Sequence, residues 1–147
     1  DRHPCRIQDV LDKNLAFMAP QIEEKEIIIR REFAEHLPEV MADSVMLYQA
    51  FLNLLINAFQ ALEDHGMITI RIRQEADRIV INFMDDGTGI PEEVVKKIWT
   101  PFFTTKDTGT GLGLGIVKNI IEAHDGTITL SNLSPDGGAN VEISLPV

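Results

Sequence analysis

Between Val45 and Leu62 nearly every residue is apolar, so a helix over this run is expected to be buried on most sides. Asp43 and Ser44, residue types that cap helix N-termini, stand just before it, so the segment reads as one long helix. Such a helix constrains everything else, because other elements of the chain have to cover it. Its polar exceptions, Gln49, Asn53, Asn57 and Gln60, lie four, four and three residues apart and share one face, with Asn53 and Asn57 one above the other. An amide buried without a partner costs roughly 1–3 kcal/mol. A solvated helix face is the simplest account of the stripe, but such faces normally carry Lys and Glu, and this one carries amides alone. It is expected to border a wet cleft, a ligand or another backbone. Carboxamide oxygens are neutral hard ligands suited to a Mg²⁺ that also holds phosphates and waters.

The covering elements follow from periodicity. Ile68, Ile70 and Ile72 alternate with Thr69, Arg71 and Arg73, which predicts a half-buried strand over Met67–Gln74. Arg78–Met84 completes a hairpin with it. Further strands are expected within Glu26–Phe33 and Glu39–Ala42, and two closing strands, Gly126–Leu133 and Ala139–Leu145, flank a turn at Pro135-Asp136-Gly137-Gly138. Ile7, Val10, Leu11, Leu15 and Met18 predict a first helix ending near Met18, with Pro20 just beyond it. Pro91, Glu92 and Glu93 open a short helix with Lys96 and Lys97 in its last turn; Thr100–Gly111 reads as a mobile loop and Leu112–His124 as a last helix. Strands outnumber helices and do not alternate with them as a doubly wound fold requires. The expected class is α/β, a two-layer sandwich whose mixed, mostly antiparallel sheet carries its helices on one face, with residues 1–147 forming one domain.

Thirteen basic against twenty-three acidic residues give a net charge of −10, which argues against nucleic acid or an anionic membrane as partner. Nucleotide remains open to an acidic chain, provided backbone N–H groups, a lysine and Mg²⁺ meet the phosphates. Cys5 is the only cysteine, so no disulfide framework or thiolate metal cluster exists, and a reducing, cytoplasmic location is the natural reading. No apolar stretch approaches the roughly 18–20 residues of a membrane-spanning helix. The chain opens on Asp1 and reaches a helical pattern almost at once, so it reads as a fragment, any sensor, membrane anchor or dimerisation segment lying upstream.

Two glycine loops carry the chemistry. Asp85-Asp86-Gly87-Thr88-Gly89-Ile90-Pro91 follows a strand, and a tight turn alone would account for it. The functional reading is that Gly87 and Gly89 let backbone approach a flat ligand, while Asp85 turns a carboxylate into the pocket. A carboxylate only accepts hydrogen bonds, which suits the exocyclic amine of adenine and opposes the oxygen of guanine. Downstream, glycines occupy every second position from Gly109 to Gly115, where a helix begins; free N–H groups and the positive helix end make a phosphate site. The spacing is GxGxG rather than the dinucleotide GxGxxG, and Asn132 rather than an acid stands about 20 residues on. No Lys-Ser or Lys-Thr follows the glycines as a Walker loop requires. A merely flexible loop explains the glycines but not the leucines between them.

Taken in order, Asn53-Leu54-Leu55-Ile56-Asn57-Ala58, the Asp85–Pro91 loop, Thr100-Pro101-Phe102-Phe103-Thr104-Thr105-Lys106 and Gly109–Gly115 resemble the N, G1, F and G2 boxes of the ATP-binding domain of sensor histidine kinases, within the Bergerat-fold superfamily. The likeness runs from about Ile7 to Leu145-Pro146. It implies a Mg·ATP site in which Asn57 ligates Mg²⁺ and Asp85 binds adenine. Gly87 and Gly89 would shape the base pocket, with Ala61 and Ile90 beside them. The amides around Thr110, Gly111, Leu112, Gly113 and Leu114 would hold phosphates, Lys106 would reach toward them, and Phe102 and Phe103 would anchor the lid. Asn53 would act with Asn57 and Lys106 in catalysis. Hydrolytic relatives and related serine kinases keep a glutamate where this chain has Asn53, and asparagine cannot act as a general base. A neutral histidine needs no strong deprotonation to attack phosphorus, so the resemblance favours phosphotransfer to histidine over water activation.

None of His3, His36, His65 and His124 stands in the family's acceptor box, a His followed by an acidic residue on a dimerisation helix, and all four read as surface or cap residues. The acceptor is therefore expected on an upstream dimerisation domain of a homodimer, which hands the phosphoryl group to the receiver domain of a response regulator. Three positions depart from the family pattern: Asp125-Gly126 stands for Gly-Gly, Ala139 for a threonine that supports the adenine site, and Gln60 for a lysine. Asn57-Ala58-Phe59-Gln60-Ala61 resembles the nitrogen-regulation subgroup, which implies a transcription-activating regulator as partner. The alternatives are a Bergerat-type ATPase clamp and a nucleotide-binding module without chemistry.

Overall fold

The apolar run forms helix α2 (Ser44–Gln60), and Asp43 caps it: its carboxylate accepts from the backbone N–H groups of Val45 and Met46, both at 3.1 Å. These bonds, that to Met46 foremost, hold the Asp43 pKa below the usual carboxylate value. Leu47, Ala50, Phe51, Leu54 and Leu55 are buried along the helix, and the Phe51 ring packs tilted against Phe83 with centroids 5.7 Å apart. A fully buried Phe of this kind contributes about 2–3 kcal/mol.

A computed structural model describes residues 1–87, 110–134 and 137–147. Around α2 lie strand β1 (His3–Cys5), helix α1 (Ile7–Lys25), strands β2 (Ile28–Phe33), β3 (Val40–Ala42), β4 (Met67–Glu75) and β5 (Arg78–Asp85), helix α3 (Thr110–Ala123), and strands β6 (Thr127–Ser134) and β7 (Gly137–Pro146). The main sheet has the order β2-β4-β5-β7-β6, antiparallel throughout except for the β2–β4 pair. β1 and β3 form a separate antiparallel ribbon. α1 and α3 both pack on α2, which gives the expected two-layer sandwich with a helical layer over the sheet.

Alternation sorts the two sheet faces. Ile68, Ile70, Ile72, Ile79, Ile81, Phe83, Ile143 and Leu145 join the core with the helices. Between them, Arg73, Asn82, Asn140 and Glu142 form a polar ladder: Arg73 donates to Glu75, Asn82 and Glu142 at 2.7, 2.6 and 3.4 Å, and the Asn82 amide donates to Asn140 and Glu142. Asn82 is thereby buried at no hydrogen-bonding loss, and the carboxylates that bond Arg73, Glu75 first and then Glu142, raise the Arg73 pKa.

α1 corrects one expectation. It does not stop near Met18 but runs through Pro20 to Lys25. An interior proline costs about 3 kcal/mol or more. The extension is closed by Glu26 in the left-handed conformation (φ 56°), whose N–H bonds the Glu23 carbonyl while Ile27 N–H bonds that of Ile22, and Ile27 is buried. α3 begins at Thr110, two residues before the expected Leu112. Strand β1 is too short to show a period and escaped the sequence reading. The expected helix from Pro91, the loop residues 100–109 and the turn residues Pro135 and Asp136 lie outside the described residues.

His124 is a cap residue, as expected, but it is no surface histidine. It is buried with Nδ1 2.8 Å from the Ile120 carbonyl, while Nε2 accepts from the Asp43 N–H at 3.1 Å. That pairing fixes the Nδ1–H tautomer and ties the end of α3 to the start of α2.

Candidate functional site

The site is built where β5 ends beneath the last turn of α2. Asp85 is the final residue of β5 and is buried. Its Oδ1 accepts from the Gly87 N–H at 2.9 Å and lies 3.4 Å from the Ala139 N–H. Gly87 in turn accepts from the Gly138 N–H at 2.8 Å. Asp86 ties the turn on its other side: its carboxylate accepts from Met67 N–H at 2.9 Å, and its own N–H bonds the Met67 carbonyl at 3.2 Å. The turn is thus held to β4 and to β7 at once.

Gly87 is required here by space. A Cβ at this position would meet the Ala61 carbonyl oxygen at 2.8 Å and Asp85 Oδ1 at 3.0 Å. Gly138 is required by conformation, at φ 79°, and sits against the Asp85 carbonyl. Asp85, Gly87, Ala61, Gly138 and Ala139 therefore meet at one spot. Sequence reasoning names Asp85, Gly87 and Ala61 and places Ala139 where a threonine supports the adenine site; it misses the backbone of Gly138 and the stapling by Asp86. The doubled Asp85-Asp86 and the paired Gly137-Gly138 were the available signals.

Asn53 and Asn57 are half-buried on α2, while Gln49 and Gln60 at the ends of the stripe are exposed. Asn57 lies one turn before Ala61, and its Nδ2 is buried without a hydrogen-bond partner. A buried Nδ2 donor beside a glycine cradle suits a ligand that brings an acceptor, such as a phosphate oxygen, while the Asn57 oxygen is the atom able to face a cation. The residues present thus fit a nucleotide with its metal ion: an amide for the cation and phosphates, a carboxylate with a close-packed glycine turn for the base.

α3 begins within the second glycine segment, so N–H groups of its first turn, from Thr110 through Gly113, lack intrahelical acceptors. Leu114 is buried with Val117, Ile120 and Ile121 in the core, which explains why a leucine stands among the glycines: it seats the helix start. Gly89, Ile90 and Lys106, with Phe102 and Phe103, lie outside the described residues. Among the described residues no group of three or more His, Cys, Asp and Glu could hold a metal ion. No described helix is long and apolar enough to cross a membrane.

Known proteins of this build share a family. The chain is 38% identical over 141 residues to the sensor histidine kinase ZraS of Escherichia coli O157:H7, covering 96% of this chain and 31% of that protein. It spans about three tenths of the length of this relative. The catalytic domain of the histidine kinase ThkA superposes with a TM-score of 0.91 at 30% identity, over 99% of this chain and 95% of that one. ThkA in complex with the response regulator protein TrrA matches at 27% identity and a TM-score of 0.86, over 99% of this chain and 41% of that one. The model of the histidine kinase-, DNA gyrase B- and HSP90-like ATPases matches residues 42–147. With its helices over a mostly antiparallel sheet and a glycine turn under the end of α2, this chain belongs to that ATP-binding family, and its relatives are catalytic domains of sensor histidine kinases.

Proposed function

We propose that the chain is a single catalytic domain that binds Mg·ATP and transfers the γ-phosphoryl group to a histidine of a dimerisation domain, for relay to a response-regulator aspartate. The observation that carries the proposal is the meeting of Asp85 and Gly87 with the end of α2, one turn from the unsatisfied amide of Asn57. The Asp85 carboxylate binds the adenine amine and Gly87 lets the base lie flat. Asn57 offers its oxygen to Mg²⁺, and the first-turn amides of α3 from Thr110 to Gly113 take the phosphates, the Leu114 N–H being used within the helix. Gly89, Ile90 and Lys106 complete the pocket and lid. When bound, Mg²⁺ supplies neutralisation of phosphate charge.

Asn53 directs the choice among reactions. It holds a position where a glutamate would deprotonate water, and as an amide it can orient but not remove a proton. Phosphorus passes from the ATP β–γ bridging oxygen to a histidine nitrogen; one P–O bond breaks, one P–N bond forms, and ADP leaves. ThkA, which shares this fold, forms a complex with a response regulator, which supports a receiver domain as partner. An intact protein that is a homodimer with its acceptor upstream, in the cytoplasm, completes the reading.

The test supplies the chain with Mg·ATP labelled at the γ-phosphate and a histidine-bearing dimerisation domain of its own protein. Acid-labile, alkali-stable label on that domain is expected, with no label on the chain itself. Multiple-turnover phosphate release by the chain alone would establish an ATPase clamp instead. Tight ATP binding without transfer would leave a nucleotide-binding module.

A further inference from the structure

We infer that Lys25, on a helix remote in sequence from every nucleotide motif, is a positioning residue for the metal and base site, an inference that rests on the Mg·ATP reading above. Its ammonium donates to the Leu62 carbonyl at 2.6 Å and to that of Phe59 at 3.3 Å, and it lies 4.8 Å from the centre of the Phe59 ring. Its own carbonyl accepts from the His65 N–H at 2.9 Å, and one step on, Ile28 N–H bonds the Gly66 carbonyl at 2.9 Å. The end of α1 therefore grips the whole turn that leaves α2.

That turn carries the site. Phe59 and Leu62 flank Ala61, whose carbonyl oxygen is the surface against which Gly87 closes, and Asn57 lies one turn earlier. The last turn of α2 holds no basic residue of its own. The negative end of its dipole is answered from outside, by Lys25, which adds a charged donor to the Phe59 carbonyl that Leu62 N–H already bonds and a donor to the Leu62 carbonyl beyond it. The continuation of α1 through Pro20 now has a consequence: a helix stopping near Met18 would leave Lys25 unable to reach Phe59 and Leu62. The strain of an interior proline is retained in a helix whose last residue fixes where the Asn57 amide and the Ala61 carbonyl stand.

The experiment compares the parent chain with Lys25→Met, which keeps the aliphatic stem and removes the donors, and Lys25→Arg, which restores them. ATP affinity is titrated calorimetrically with and without Mg²⁺, and thermal midpoints are recorded for each variant. Lys25→Met is expected to weaken Mg·ATP binding about tenfold, since sub-ångström placement of ligating groups is what such supports provide. The gain in affinity on adding Mg²⁺ should shrink with it, and Lys25→Arg should recover most of both. A purely structural role would lower the thermal midpoint and leave the Mg²⁺ gain intact, and that result overturns the inference. If Lys25→Met does not fold, Lys25→Gln, which keeps an amide N–H₂ but loses the charge and some reach, is expected to lose part of both the affinity and the Mg²⁺ gain, and an unchanged Mg²⁺ gain there overturns the inference. Asn57→Ala separates the two levels: parent binding that Asn57→Ala weakens, with Lys25→Met indistinguishable from parent, refutes the role of Lys25 alone. Absence of ATP binding by the parent refutes both.

Discussion

Replacing Gly87 with alanine tests the site at its tightest point. The added methyl would stand 2.8 Å from the Ala61 carbonyl oxygen, about 0.6 Å inside the 3.4 Å at which ordinary contact begins, and 3.0 Å from Asp85 Oδ1. One side has to move. The Ala61 side cannot easily do so, because α2 is fixed by Phe51, Leu54 and Leu55 in the core and Lys25 grips its exit. The turn at Asp85–Gly87 is the softer partner, although Asp86 and Gly138 hold it. Overpacking of this kind costs about 1–3 kcal/mol.

How that cost divides is what the experiment reads. If the turn relaxes outward in the free protein, folding stability is nearly kept, and nucleotide has to push the turn back or bind it misplaced. Affinity then bears the loss, about 5- to 150-fold in Kd for the whole range. If the turn cannot relax, the same energy appears in thermal or denaturant unfolding instead. Calorimetric titration with Mg·ATP beside chemical denaturation measures both terms. Their sum is expected to reach at least about 1 kcal/mol, with the larger share in binding. Parent-like affinity together with parent-like stability would refute the close approach of Gly87 to Ala61 and remove this turn from the site.

Asn57→Ala is expected to weaken Mg·ATP binding about 10- to 100-fold while hardly changing binding of ATP without the metal, as measured by titration in Mg²⁺ and in chelator. His124→Ala should destabilise the fold by about 1–3 kcal/mol in denaturant unfolding, because Asp43 N–H and the Ile120 carbonyl lose their imidazole partner, and His124→Gln should recover part of it. Asp43 sets a pH dependence. Its folded pKa lies below the unfolded one, so its contribution is whole above the ordinary carboxylate value and is lost as pH falls through the folded value. In a thermal-midpoint series on acidification Asp43→Asn should therefore lose less stability than the parent.

The sheet and α2 were legible because both announce themselves through burial. Ile68, Ile70 and Ile72 could only alternate if one face were covered. The Val45–Leu62 run announced a helix, although that helix buries one face (Leu47, Ala50, Phe51, Leu54 and Leu55) and leaves Val45 and Met46 exposed rather than being covered on most sides. What escaped was fixed by contacts between distant segments. β1 exists because His3–Cys5 finds Val40–Ala42, and three residues carry no period of their own. Pro20 was a fair stop signal by local rules, overruled by the Glu26 cap, by buried Ile27 and by the hold of Lys25 on α2. His124 looked like an exposed terminus because nothing local says that Asp43, far away in the chain, supplies a donor for it. Within the candidate site, Asp85, Gly87, Ala61 and Ala139 were named from motif and family positions, whereas Gly138 acts through a backbone N–H that any residue but proline possesses.

Charge explains how so acidic a chain can hold ATP on the proposed reading. With a net charge of −10, long-range attraction for a nucleotide is absent, so binding has to come from groups placed at short range. Two helix ends supply them. The start of α3 offers N–H groups and positive dipole to the phosphates. The end of α2, being negative, would repel those phosphates, and it is there that the neutral amide of Asn57 takes Mg²⁺ and Lys25 covers the carbonyls. A carboxylate in place of Asn57 would add a charge to that end and bind Mg²⁺ more tightly even without nucleotide. An amide would hold the ion mainly when phosphates share it, so on that reading Mg²⁺ and nucleotide would bind together.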